Sequence, residues 1–148
     1  MQRWIAAGVV AMLLLFGGGW LAHRSYKQSL PHPIWVPLPL NPALPVEKRD
    51  VLVKELQAKL GEPGILVKVS KDVGLTQKWH LASDEECARE LGQRLFVKVG
   101  EADSPQGKIP AVLIGVRGTV KETVVSGEIA MRLMDDVWKI LGIKPPPK

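Results

Sequence analysis

Nineteen consecutive residues near the start of the chain, WIAAGVVAMLLLFGGGWLA from Trp4 to Ala22, carry no charge. As a helix at 1.5 Å per residue they span roughly 28 Å, close to the thickness of a bilayer's hydrocarbon core. Trp4 and Trp20 bracket the run as interfacial anchors do. Arg3 gives the basic start of a signal peptide, but cleavage wants small residues at the end of the run, and Trp20 and Leu21 stand there. An uncleaved transmembrane anchor is therefore favoured over a cleaved leader, and over a hydrophobic helix buried in a larger assembly. Arg3 and the free amine nearly balance His23, Arg24 and Lys27 across the run. The very short N-terminal tail tips the expectation toward a cytoplasmic N-terminus. The expected location is thus a single-pass protein of a bacterial inner membrane, with its soluble domain on the periplasmic side.

The next segment, LPHPIWVPLPLNPALP over 30–45, has prolines at 31, 33, 37, 39, 42 and 45. Such density excludes helix and favours polyproline II, which at about 3.1 Å per residue makes a semi-rigid spacer of roughly 50 Å. Ile34, Trp35, Val36, Leu38 and Leu40 are too apolar for a plain linker and are expected to pack on the domain or on a partner. The expected plan is an anchor with its flanks over 1–29, a proline-rich linker over 30–45, a soluble domain over 46–143 and a tail over 144–148.

Charge argues against nucleic acid. The net +5 shrinks from Val46 onward to 17 basic against 15 acidic residues, with no basic stripe interleaved with aromatics.

Within the domain, apolar residues at 46, 52, 53, 56 and 60 predict a helix stopped by Gly61 and Pro63. GILVKVS, 64–70, is rich in branched residues and reads as a strand, while 71–82 shows no clear period. SDEE at 83–86 has the form of a capping box, Ser83 accepting from the amide of residue 86 and Glu86 returning to the amide of Ser83. The helix it opens carries Cys87, Ala88, Leu91 and Leu95 on one face. LFVKVG, 95–100, reads as a strand, EADSPQGK as a loop, 110–116 as a strand opened by Pro110, and 119–127 as a hairpin partner reached through Arg117 and Gly118. An amphipathic helix over 128–141 points Ile129, Leu133, Val137, Trp138 and Leu141 inward.

That order, together with KIPAVLIGVRGTVKETVVSGEI, resembles the thioredoxin-like fold, in which a proline opens a strand, a hairpin follows and a glycine leads into the last helix. The resemblance is firmest over Lys108–Leu141. It implies a small α/β domain with Pro110 as a cis proline facing the loop before the 83–95 helix. Active members carry a Cys-x-x-Cys pair there, whereas KDVGLTQKWHLASDEEC has a single cysteine. The implied relative is a degenerate member without the dithiol.

Cys87 is the only cysteine, so no intramolecular dithiol cycle is available. The helix start would lower its pKa, while Asp84, Glu85 and Glu86 oppose thiolate formation, so a core thiol is favoured over a reactive one. His80, beside Trp79, lacks the further ligands that a zinc or copper site needs, since His23 and His32 lie near the anchor. GEADSPQGK fails as a phosphate loop, with six residues between its glycines and Ile109 in the hydroxyl position. Asp135 and Asp136 diverge on their helix and are expected to be solvated.

No cofactor, metal site or catalytic constellation is expected. The function expected is that of a membrane-anchored, non-catalytic binding or assembly module of a bacterial envelope complex. Trp79, His80 and Pro110 are its partner-binding residues, Trp4 and Trp20 its membrane anchors, and another envelope protein its partner. The alternative is a single-cysteine redox or metal-delivery protein using Cys87.

Overall fold

The computed structural model describes residues 23–105 and 107–143. The expected anchor run, with Trp4 and Trp20, and the 144–148 tail lie outside them. Among the described residues no helix is long and apolar enough to cross a membrane.

A short helix over 23–28 precedes strand β1 (Ile34–Pro39). Helix α1 (Val46–Leu60) follows, then α2 (Pro63–Val73), a five-residue α3 (Leu75–Trp79) and α4 (Asp84–Arg94). Two long strands, β2 (Leu95–Ser104) and β3 (Gly107–Val116), lead through a 3-10 turn (Val120–Glu122) into α5 (Thr123–Leu141). The result is a mixed α/β domain around a three-stranded, wholly antiparallel sheet in the order β1-β3-β2.

The proline-rich stretch is therefore no free spacer at 34–39. Its prolines alternate, and alternation is what an edge strand requires. Leu40 donates its amide to the Pro110 carbonyl at 2.8 Å and His32 donates to Gly118 at 2.7 Å, so the even-numbered amides face β3. Pro37 and Pro39 fall on the odd positions, where the missing donor faces the free edge and costs no ladder bond. The same prolines blunt that edge against pairing with other chains. Of the apolar residues between them, Val36, Leu38 and Leu40 turn into the core and Trp35 turns outward.

Several expectations are corrected. Residues 64–70 are helical: Pro63 stands at the first helical position, Gly74 closes α2 in the left-handed region at φ 71°, and Leu66, Val69 and Ser70 are buried at helical spacing. Burial of that stripe outweighs the β preference of the branched residues. The supposed loop over 101–108 is the distal part of a β2–β3 hairpin, in which Ser104 pairs with Gly107. Residues 119–127 form no strand. Thr119 and Glu122 make a capping box, and α5 starts at Thr123, with Ser126, Ile129, Ala130 and Leu133 buried in one stripe.

Pro110 does not open β3, which begins at Gly107, and no cis peptide bond occurs among the described residues. It stands one residue beyond the last β1–β3 pair, opposite Leu40, whose amide donates to the Pro110 carbonyl, so the return bond that proline cannot give is lost only at the end of the ladder. The strand at 64–70, the cis proline and the hairpin after Gly118, on which the thioredoxin-like resemblance rests, thus take other conformations. The Ser83 cap does form, Ser83 Oγ accepting from the Glu86 amide at 3.2 Å; the Glu86 carboxylate accepts from the Ala82 amide, one residue before the expected donor.

One face of the sheet carries the core. Val36 and Leu38 of β1 register with Ile114 and Val112 of β3, and these with Val97 and, where the face reaches solvent, the exposed Val99 of β2. Helix α5 packs over β1 and β3, and α1 over β2. Leu56, Leu60, Leu91, Ile129, Leu133 and Val137 close the core from the helices, each contributing about 1.5–3 kcal/mol by burial. Asp136, expected to be solvated, is buried and accepts from Arg132 at 2.9 Å, and Arg132 reaches Asp72 at 2.8 Å, tying α5 to α2.

Candidate functional site

Two surfaces stand out. The first is a cleft of about 660 Å³ lined by Trp79, His80, Glu90, Arg94, Lys121 and Glu122, among others. Helix α3 delivers Trp79 to it and stops because His80 takes the left-handed conformation, φ 54°. Arg94, in the last turn of α4, organises the cleft. Its Nε donates to Glu90 Oε1 at 2.7 Å, an Nη donates to Glu122 Oε1 at 2.9 Å, and its guanidinium lies 4.8 Å from the centre of the Trp79 ring. Glu122 Oε2 accepts from both the amide and the hydroxyl of Thr119 at 3.0 Å.

Burial alone would push the Glu122 carboxyl up, but the bonds from Arg94 and Thr119 prevail and hold it below the ordinary glutamate value. Desolvation likewise works against the Arg94 cation, and Glu122 and Glu90 more than offset it, raising its pKa. Both carboxylates are thus committed to one cation, and the group acts as a clamp between the end of α4 and the start of α5. Lys78 pairs with Glu128 nearby.

The predicted site residues do not assemble. Trp79 and His80 share the cleft, whereas Pro110 lies at a separate depression with Arg49, Glu101 and Lys108. Cys87 is fully buried, its Sγ 3.9 Å from Thr76 Oγ1, and that hydroxyl donates to Asp84 at 2.8 Å. The Trp79 indole nitrogen is buried without a hydrogen-bond partner. Among the described residues no group of three or more His, Cys, Asp or Glu side chains is placed to hold a metal ion.

The second surface is the sheet face turned away from the helices, and it was not anticipated from the sequence. Strand register brings Trp35, Pro37 and Pro39 beside Gly115, Leu113 and Ala111, and these beside Phe96, Lys98 and Gly100. Leu113 and Ala111 are themselves buried beneath their neighbours, so what this face offers to solvent is Trp35, Pro37, Pro39 and Lys98, with Phe96 half-buried. An antiparallel sheet with one solvated face normally alternates apolar with polar residues. Here a single charge stands among apolar and small residues. Trp35 is 46% exposed, and Lys98 Nζ sits 5.7 Å from its ring centre and 5.5 Å from that of Phe96. The signal in the sequence was the alternation IWVPLP, legible as two faces only once the stretch is known to be a strand.

Comparison with protein-family models, with curated proteins and with solved structures finds no match to this chain.

Proposed function

We propose that the chain is a membrane-tethered, non-catalytic binding module of a bacterial envelope assembly, with its domain on the periplasmic side, and that it engages a protein partner through the open sheet face. The observation that carries this reading is the apolar face of Trp35, Pro37, Pro39 and half-buried Phe96 with Lys98 at its centre. Aromatic residues of this kind dominate binding energy where they are desolvated by a partner. Among the described residues Lys98 makes no ion pair, so the partner that fits is a protein laying an apolar strand or helix across the face, with a carboxylate opposite Lys98. The thioredoxin-like resemblance lends no support, because the elements that carried it are otherwise folded. The single-cysteine alternative needs an accessible thiol, and Cys87 is fully buried.

The test uses the full chain in its native membrane with a photocrosslinking phenylalanine analogue at Trp35 or, as a control, at the exposed Val124. A discrete heteromeric adduct is expected from position 35 and not from 124, and Lys98→Glu should remove it while the far-UV spectrum stays unchanged. Adducts of equal yield from both positions, or none from 35, refute the reading. An adduct of twice the chain's mass reassigns the face to self-association. Rapid native labelling of Cys87, with thiol-dependent reductase activity, would favour the alternative.

A further inference from the structure

The segment joining the apolar run to the sheet is short and fastened. Residues 23–28 are helical and lie beside Val120, the two lining one depression that also includes Arg24 and Lys27. Val120 then donates its amide to the Leu30 carbonyl at 3.1 Å, Pro31 bridges to Thr119, and His32 donates to Gly118. Six helical residues rise about 9 Å, and Ser29 and Leu30, in a turn and a bend, add at most about 7 Å, so the 117–121 turn lies within about 16 Å of residue 23. Among the described residues no long spacer separates position 23 from the sheet.

That end is chemically one-sided. Residues 23–33 and 117–121 contain Arg24, Lys27, Arg117 and Lys121 and no acidic residue, and the adjacent Glu122 is engaged by Arg94. Lys27, Arg117 and Lys121 are exposed, and among them stand Tyr26, 66% exposed, with Leu30 and Val120. Basic side chains mixed with an interfacial tyrosine and aliphatics are the chemistry that settles on anionic headgroups.

We infer that the Arg117–Lys121 turn and the 23–28 helix form one basic surface that docks the domain on anionic lipid headgroups, fixing its tilt so that the β2–β3 hairpin tip points away from the bilayer. This rests on the Trp4–Ala22 anchor of the proposed function. Charge complementarity and the pinned, short connection favour lipid over an acidic protein as the occupant.

The experiment reconstitutes the full chain into phosphatidylcholine vesicles with or without phosphatidylglycerol and with a headgroup-linked nitroxide quencher. A bimane label is placed at Val124→Cys, beside the turn, or at Asp103→Cys, at the hairpin tip. Strong quenching is expected at 124 in the phosphatidylglycerol vesicles and little at 103, and Arg117→Glu with Lys121→Glu should cut the 124 signal by more than half. Flotation in alkaline carbonate reports the anchor separately. A chain that floats but shows no quenching at 124, equal quenching at both positions, or no response to charge reversal overturns the docking and leaves the anchor standing. A chain that fails to float overturns both.

Discussion

Gly115→Ala tests whether the proline-rich stretch is truly part of the sheet. A Cβ on Gly115 would collide with the Ile34 carbonyl oxygen and lie 2.8 Å from Trp35 Cα, both backbone atoms of β1 that cannot rotate aside. A forced strand shift costs about 1–3 kcal/mol, as overpacking does. The ceiling is set by detachment of β1, which would expose Leu38 and Leu40 at about 1.5–3 kcal/mol each, an upper estimate because the unfolded chain is itself partly compact. Two glycines serve as references. At Gly100 the new methyl meets Leu113 Cδ1 at 2.5 Å, a side-chain end that can move, so the loss should be smaller; at Gly64, in the first turn of α2, nothing lies within 4 Å, and alanine should stabilise by about 0.5–1 kcal/mol. Urea melts of the three variants followed by circular dichroism give the ranking. A Gly115→Ala midpoint equal to wild type, with m unchanged, would mean that 34–39 does not lie against β3 and would sink the edge-strand account.

Leu133→Ala, at a fully buried position of α5, should cost about 2–5 kcal/mol, out of a total stability of roughly 5–15 kcal/mol; a loss below about 1 kcal/mol in the same melts contradicts the helix face assigned here. The lowered pKa of Glu122 means that its contribution is fully present above the ordinary glutamate value of about 4.3 and is lost as pH falls through the folded value. Stability measured from pH 7 down to roughly pH 3 should therefore drop less in Glu122→Gln than in wild type, and parallel curves would remove the Arg94 clamp from the account.

Where local chemistry and burial agreed, the sequence alone determined the structure. The helix over 46–60, the Ser83-capped helix with Cys87 on its inner face, the strand from Leu95 and the inward stripe of the last helix all follow from short-range periodicity and end signals. Even the errors had local warnings, since Pro63 with Gly74 brackets a helix and Thr119 with Glu122 is a capping box, but branched residues drew both segments toward strand. Tertiary structure decided what depends on partners distant in the chain. Prolines at alternate positions are compatible with polyproline II or with an edge strand, and only β3 lying on their even side, taking the amides of His32 and Leu40, selects the strand. The same pairing creates the second sheet face, bringing Trp35, Phe96 and Leu113 together from positions as far apart as 35 and 113. Arg94 meets Glu122 and the ring of Trp79 only because α4 ends beside the start of α5, a juxtaposition that no local period encodes.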